Sequence, residues 1–68
     1  MRPHELLSDR EYKIMRMLAS GMALKDIGAE LCVSPNSIST YRARVLKNLG
    51  LKSNAELARY CFEHKLED

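Results

Sequence analysis

Leu24-Lys25-Asp26-Ile27-Gly28-Ala29-Glu30-Leu31-Cys32-Val33-Ser34-Pro35-Asn36-Ser37-Ile38-Ser39-Thr40-Tyr41-Arg42-Ala43-Arg44-Val45-Leu46-Lys47-Asn48-Leu49-Gly50 holds two helical patterns joined by a very short turn. Over the first, Leu24, Ile27 and Leu31 recur at core spacing and predict a helix over about 24–32. Its local chemistry is weak. Ala23 is a poor N-cap, and an interior Gly28 costs roughly 0.5–1 kcal/mol against alanine. A second helix crossing closely at Gly28 would explain why that glycine is there. The next helix is better marked: Ser34 is an N-cap, Pro35 fits the first helical position, and Gly50 lies past an end at about Leu49. Only Cys32, Val33 and Ser34 separate the two, the signature of a helix-turn-helix.

At roughly 100° per residue, Ile38, Tyr41, Val45 and Leu49 share one side of the helix after Pro35. The opposite side collects Asn36, Thr40, Ala43 and Lys47, flanked by Ser39 and Arg44. Arg42 falls nearer the core side and can reach either way along its stem. Between Leu31 and Ala55 the chain carries four basic residues, Arg42, Arg44, Lys47 and Lys52, and no acidic one. The remainder of the chain holds 7 basic against 9 acidic residues, so the sign reverses outside this window. A narrow positive helix with small polar side chains is what a DNA major groove admits. Local field, more than the net charge of +2, steers a protein to phosphate.

Two further helices flank this pair. Leu7-Ser8-Asp9-Arg10-Glu11-Tyr12 reads as a capping box on Ser8 and Glu11, closed by a Leu7–Tyr12 staple. It opens a helix over about 9–20 that ends at Gly21. Ser53-Asn54-Ala55-Glu56 repeats the box and predicts a helix over about 54–64. That last helix has two apolar strips, one of Leu57, Tyr60 and Cys61 and one of Ala55, Ala58 and Phe62. A terminal helix seldom needs both, so one strip is expected to meet a partner. Leu57, Cys61, Ala58 and Phe62 are the candidates.

Composition excludes several classes. A chain of 68 residues makes one small domain or part of a larger protein, and its apolar runs are too short for a membrane span. Two cysteines are too few for a disulfide scaffold, so Cys32 and Cys61 are expected as buried thiols in a reducing cytoplasm. Cys61 and His64 stand three apart, but two ligands make no metal site. Glu11 is explained by its cap, and no phosphate loop, triad or carboxylate pair is present, so neither an enzyme nor a cofactor is expected.

The series Leu7-Ser8-x-x-Glu11, Leu18-Ala19-x-Gly21, Ile27-x-x-x-Leu31, Ser34-x-x-x-Ile38-Ser39-Thr40-Tyr41 and Leu49-Gly50 resembles the LuxR-type helix-turn-helix. It is most similar to effector domains of NarL/FixJ response regulators. The resemblance covers about residues 6–66. It implies an all-α, four-helix (tetrahelical) DNA-binding domain over 7–66, with residues 1–6 as a linker end or simply the start of the chain.

The same resemblance implies that the third helix enters the major groove and the fourth forms a homodimer. By that resemblance Ser39, Thr40 and Ala43 would face base edges, and Arg44, Lys47 and Lys25 phosphates. Asn36, on the same outward side by helical period, is expected to join the base-facing residues, and Arg42 could serve either task. Ser39 and Tyr41 stand where lysine and histidine are frequent in the family, and Ala23 and Lys65 replace a polar cap and a glycine. Double-stranded DNA and, further off, RNA polymerase are the implied partners, with no membrane and no small-molecule ligand. A phosphorylatable receiver domain would lie outside this chain. Three other readings fit the same residues: a stand-alone small LuxR-type regulator, a sigma-factor-like promoter-reading domain, and a helical protein-interaction module.

Overall fold

The computed structural model describes residues 3–66. Four α-helices follow one turn of 3-10 helix over Pro3–Leu6: α1 (Asp9–Ala19), α2 (Leu24–Leu31), α3 (Pro35–Leu49) and α4 (Asn54–Glu63). No strand occurs among the described residues. The all-α, four-helix expectation holds, and each expected helix is present with its ends within one residue.

The caps of α1 and α3 form as the sequence predicts, and the box expected at Ser53 and Glu56 forms only in half. The Glu11 N–H donates to Ser8 Oγ (3.2 Å) while the Ser8 N–H donates to the Glu11 carboxylate (3.0 Å). Ser34 Oγ accepts from the Ser37 N–H at the start of α3, and Ser53 Oγ from the Glu56 N–H at the start of α4. In α4 the Glu56 carboxylate accepts from the Lys52 N–H, one residue before the N-cap, where a capping box would use the cap's own N–H. α2 has no side-chain cap bond at Ala23, in keeping with its weak local sequence.

α1 lies at the centre and packs against α2, α3 and α4. Ile14, Met15 and Leu18 from α1 meet Ile27 of α2, Ile38, Val45, Leu46 and Leu49 of α3, and Leu57 and Cys61 of α4 in one buried cluster. The 3.6-residue stripes therefore converge on a single core, and the side of α3 away from it is left outside.

All four helices turn out through a left-handed residue. Gly21 (φ 95°) and Gly50 (φ 69°) do so without cost from a side chain, but Cys32 (φ 58°) and Lys65 (φ 57°) carry a Cβ. After α4 the Leu66 N–H returns to the Cys61 carbonyl (2.8 Å) and the Lys65 N–H to that of Phe62 (3.2 Å), which holds Lys65 in place. The left-handed region costs a non-glycine residue about 1–2 kcal/mol. The extra chain entropy of glycine offsets about 0.4–1 kcal/mol of that. Lys65→Gly is therefore expected to raise stability by about 0.5–1 kcal/mol, read as a thermal midpoint several degrees higher. A lowered midpoint would mean that the lysine side chain is anchored more strongly than its exposure suggests.

Three expectations need correction. Residues 3–6, expected as a linker end or the start of the chain, are ordered against the domain: they form the 3-10 turn, and His4 is only 7% exposed. His4 Nδ1 and the Tyr60 hydroxyl share a hydrogen bond of 2.9 Å, and the His4 ring stands edge-on to that of Tyr60. A sequence pattern cannot show this, because the partner lies 56 residues away. Met1 and Arg2, also assigned to the linker, lie outside the described residues. Second, Cys32 is exposed, because its left-handed backbone at the end of α2 turns it away from the core that holds Cys61. Third, what approaches Gly28 is not the body of another helix. A Cβ built there would overlap the Val33 carbonyl oxygen and touch the Ser34 and Pro35 backbone, so the α2–α3 turn itself folds over the glycine.

Candidate nucleic-acid interface

The presented surface begins with that turn. The Val33 N–H donates to the Gly28 carbonyl (2.9 Å), and Ile27 and Ile38 are both fully buried, so α3 is held to α2 from both sides. α3 then projects Asn36, Ser39, Thr40, Ala43, Arg44 and Lys47, all exposed, from the side opposite Ile38, Val45 and Leu49. The structure thus brings six of the eight expected contact residues into one continuous row. Asn48, not among the expected residues, is exposed one turn beyond Arg44 and extends the row. Its position at four residues from Arg44 was the available signal.

Lys25 is exposed in the first turn of α2, on a separate element from the row. None of Lys25, Arg44 and Lys47 makes an ion pair with an acid among the described residues. The pair between Arg59 and Glu63 (3.7 Å) belongs to α4 and is largely solvated. Among the described residues, the positive charges of α3 are accordingly not neutralised by ion pairs.

Two side chains in the row carry directional information. The Thr40 hydroxyl donates to the Asn36 carbonyl one turn back (3.2 Å). Its lone pairs then point outward as acceptors, suited to the amino groups of adenine or cytosine in a major groove. The Arg44 guanidinium lies over the Tyr41 ring, 6.0 Å from its centre. Tyr41 is half-buried against the core, as its spacing with Ile38 and Val45 predicts.

Arg42 resolves its ambiguity toward the domain. Its Nε donates to Asn54 Oδ1 at 2.7 Å, bracing the middle of α3 against the first residue of α4. No sequence signal marks Asn54 for this role, because the bond depends on how the α3–α4 turn folds back.

The expected interface on α4 divides in two. Leu57 (0% exposed) and Cys61 (1%) lie within the domain's own core, so neither can meet a partner, a correction to their candidacy. Ala58 is half-buried and Phe62 is 70% exposed, on the strip left outside. Their strip is the one a partner can reach. No group of three or more histidine, cysteine or acidic residues arranged for a metal ion occurs among the described residues.

The order of helices agrees with the family to which the sequence is similar. The profile of bacterial regulatory proteins of the luxR family matches residues 5–61, most of the chain. The chain belongs to the luxR family. Similar relatives include the response regulator GacA of Pseudomonas viridiflava, 36% identical over 66 residues, covering 97% of this chain and 31% of that protein. The transcriptional regulatory protein UhpA of Escherichia coli is 42% identical over 57 residues, 84% of this chain and 29% of UhpA. The oxygen regulatory protein NreC of Staphylococcus aureus is 36% identical over 64 residues, 94% of this chain and 30% of NreC. This luxR-family domain therefore spans about a third of the length of the curated relatives it matches. It is a DNA-binding domain of the transcription-regulator class, and that class of domain is not enzymatic.

Proposed function

We propose that the domain reads duplex DNA in a sequence-specific way, as the effector part of a two-component response regulator, with α3 lying in the major groove. The observation that carries the reading is the exposed row Asn36, Ser39, Thr40, Ala43, Arg44 and Lys47, set on a segment free of acidic residues. Asn36, Ser39, Thr40 and Ala43 form the N-terminal part of the row and would face base edges. Arg44 and Lys47, with Lys25 from α2, would neutralise phosphates and set the register. Arg42 supports the row through Asn54, with its terminal nitrogens left to a backbone contact.

Self-association through the Ala58–Phe62 strip of α4 would place two α3 helices on half-sites about one helical turn apart. The regulator would work in the cytoplasm, with RNA polymerase as a further partner. No helix among the described residues is long and apolar enough to cross a membrane.

A titration over salt on random duplex tests the reading. Binding to phosphates makes log K fall linearly with log salt. Lys47→Ala is expected to weaken all duplexes alike and to flatten that line by about one unit. An unchanged slope would remove Lys47 from the phosphate contacts, and a folded wild type that ignores duplex in dilute buffer would end the proposal.

A further inference from the structure

A shallow notch of about 270 Å³ opens along one flank of α3, lined by Val33, Ser37, Thr40, Tyr41 and Arg44. Three of its features point the same way. The Arg44 guanidinium lies over the Tyr41 ring, 6.0 Å from its centre and within cation–π reach, and the ring packs against the core on its other side. Ser37 Oγ accepts from the Ser34 hydroxyl (3.1 Å), which leaves the Ser37 O–H hydrogen for an acceptor arriving from outside. No carboxylate lines the notch.

We infer that this notch seats one DNA backbone phosphate, and that Tyr41 is the residue that positions Arg44 for it. The inference rests on the DNA-reading function above and adds Tyr41 and Ser37, whose roles there were packing and capping. Position in the helix decides between phosphate and base. At about 100° per residue, Ser37, Tyr41 and Arg44 form a row between the outward residues (Thr40, Lys47) and the buried ones (Ile38, Val45). Over the turns that lie deepest, a helix in a groove would turn its outward side to the bases and its core-side flanks to the sugar-phosphate ridges. A residue near its far end, such as Lys47, would reach the backbone from the outward side. A notch on the core side of Arg44 therefore meets a ridge. An arginine free to rotate would lose side-chain entropy on binding. One already drawn over an aromatic ring has lost part of it beforehand.

The test uses anisotropy titrations of the full chain on random duplex over a range of salt. Tyr41→Leu changes no charge of its own, so a change in salt slope reports on a displaced cation, which the Arg44→Ala background identifies as Arg44 or another. It is expected to weaken binding about two- to five-fold and to flatten the slope toward that of Arg44→Ala. In an Arg44→Ala background it should add nothing, and Tyr41→Phe, which restores the ring, should rescue the slope. Losses that multiply in the double variant, or a slope that Tyr41→Leu leaves alone, overturn the inference while the DNA reading stands. A wild type without affinity for duplex overturns both. Should Tyr41→Leu melt below the assay temperature, Arg44→Lys keeps the charge but loses the stacking plane. It is expected to weaken binding by the same factor, and wild-type affinity would overturn the assignment.

Discussion

Leu57→Ala is expected to cost about 2–5 kcal/mol of folding stability, the range for truncating a fully buried leucine. A chain of this length has only about 3–10 kcal/mol to lose, so a large fraction of the variant should be unfolded at 37 °C. The cause is the place of Leu57 at 0% exposure beside Cys61 and the buried residues of α1. The shift in a urea midpoint should not depend on protein concentration, because the leucine packs only against side chains of its own chain. Phe62→Ala, one turn further along α4 but 70% exposed, is expected to leave that midpoint nearly unchanged in dilute solution. If the outer strip is the dimer surface, its effect appears in sedimentation, as a shift toward monomer. A Leu57→Ala variant as stable as wild type would contradict a core built around this leucine.

The second large effect has a sign opposite to that expected from local preference. Alanine is a better helix former than glycine by roughly 0.5–1 kcal/mol, so Gly28→Ala in an isolated α2 would help. In the folded domain the added methyl would meet the Val33 carbonyl oxygen, and it cannot be relieved by rotating a side chain, since the obstacle is backbone. That backbone is itself tied down, with the Val33 N–H bonded to the Gly28 carbonyl. Forcing extra volume into a tight site costs about 1–3 kcal/mol, which exceeds the propensity gain. The expected net outcome is a thermal midpoint lower by several degrees. DNA affinity should fall further than the fraction unfolded accounts for, because relief of the clash must move α3 against α2. A midpoint equal to or above wild type would show that the turn yields.

How far the chain could be read before folding depended on the range of each interaction. Ser8 with Glu11, Ser34 with Pro35, Gly50 after Leu49 and Ser53 with Glu56 act within one turn and mark α1, α3 and α4. The poorly capped α2 follows only from the spacing of Leu24, Ile27 and Leu31. The outward row of α3 was equally readable, because helical period alone sets Asn36, Thr40, Ala43 and Lys47 opposite Ile38, Val45 and Leu49. Arg42 sat on the boundary, where a shift of a few tens of degrees decides its side. Its bond to Asn54 depends on the path of the Gly50–Ser53 connection.

The two apolar strips of α4 could not be ranked in advance. Both satisfy the same period, and what separates them is the position of α1.

From its order of residues alone this protein determined its four helices, their joints and the acid-free positive side of the third. Those properties follow from backbone capping, period and charge, all of which act locally. Only tertiary packing decided that Leu57 and Cys61 lie inside while Phe62 stays outside, that His4 closes over Tyr60, and that Gly28 must have no side chain. Each depends on atoms distant in the chain, or folded back across a turn, being brought within van der Waals reach.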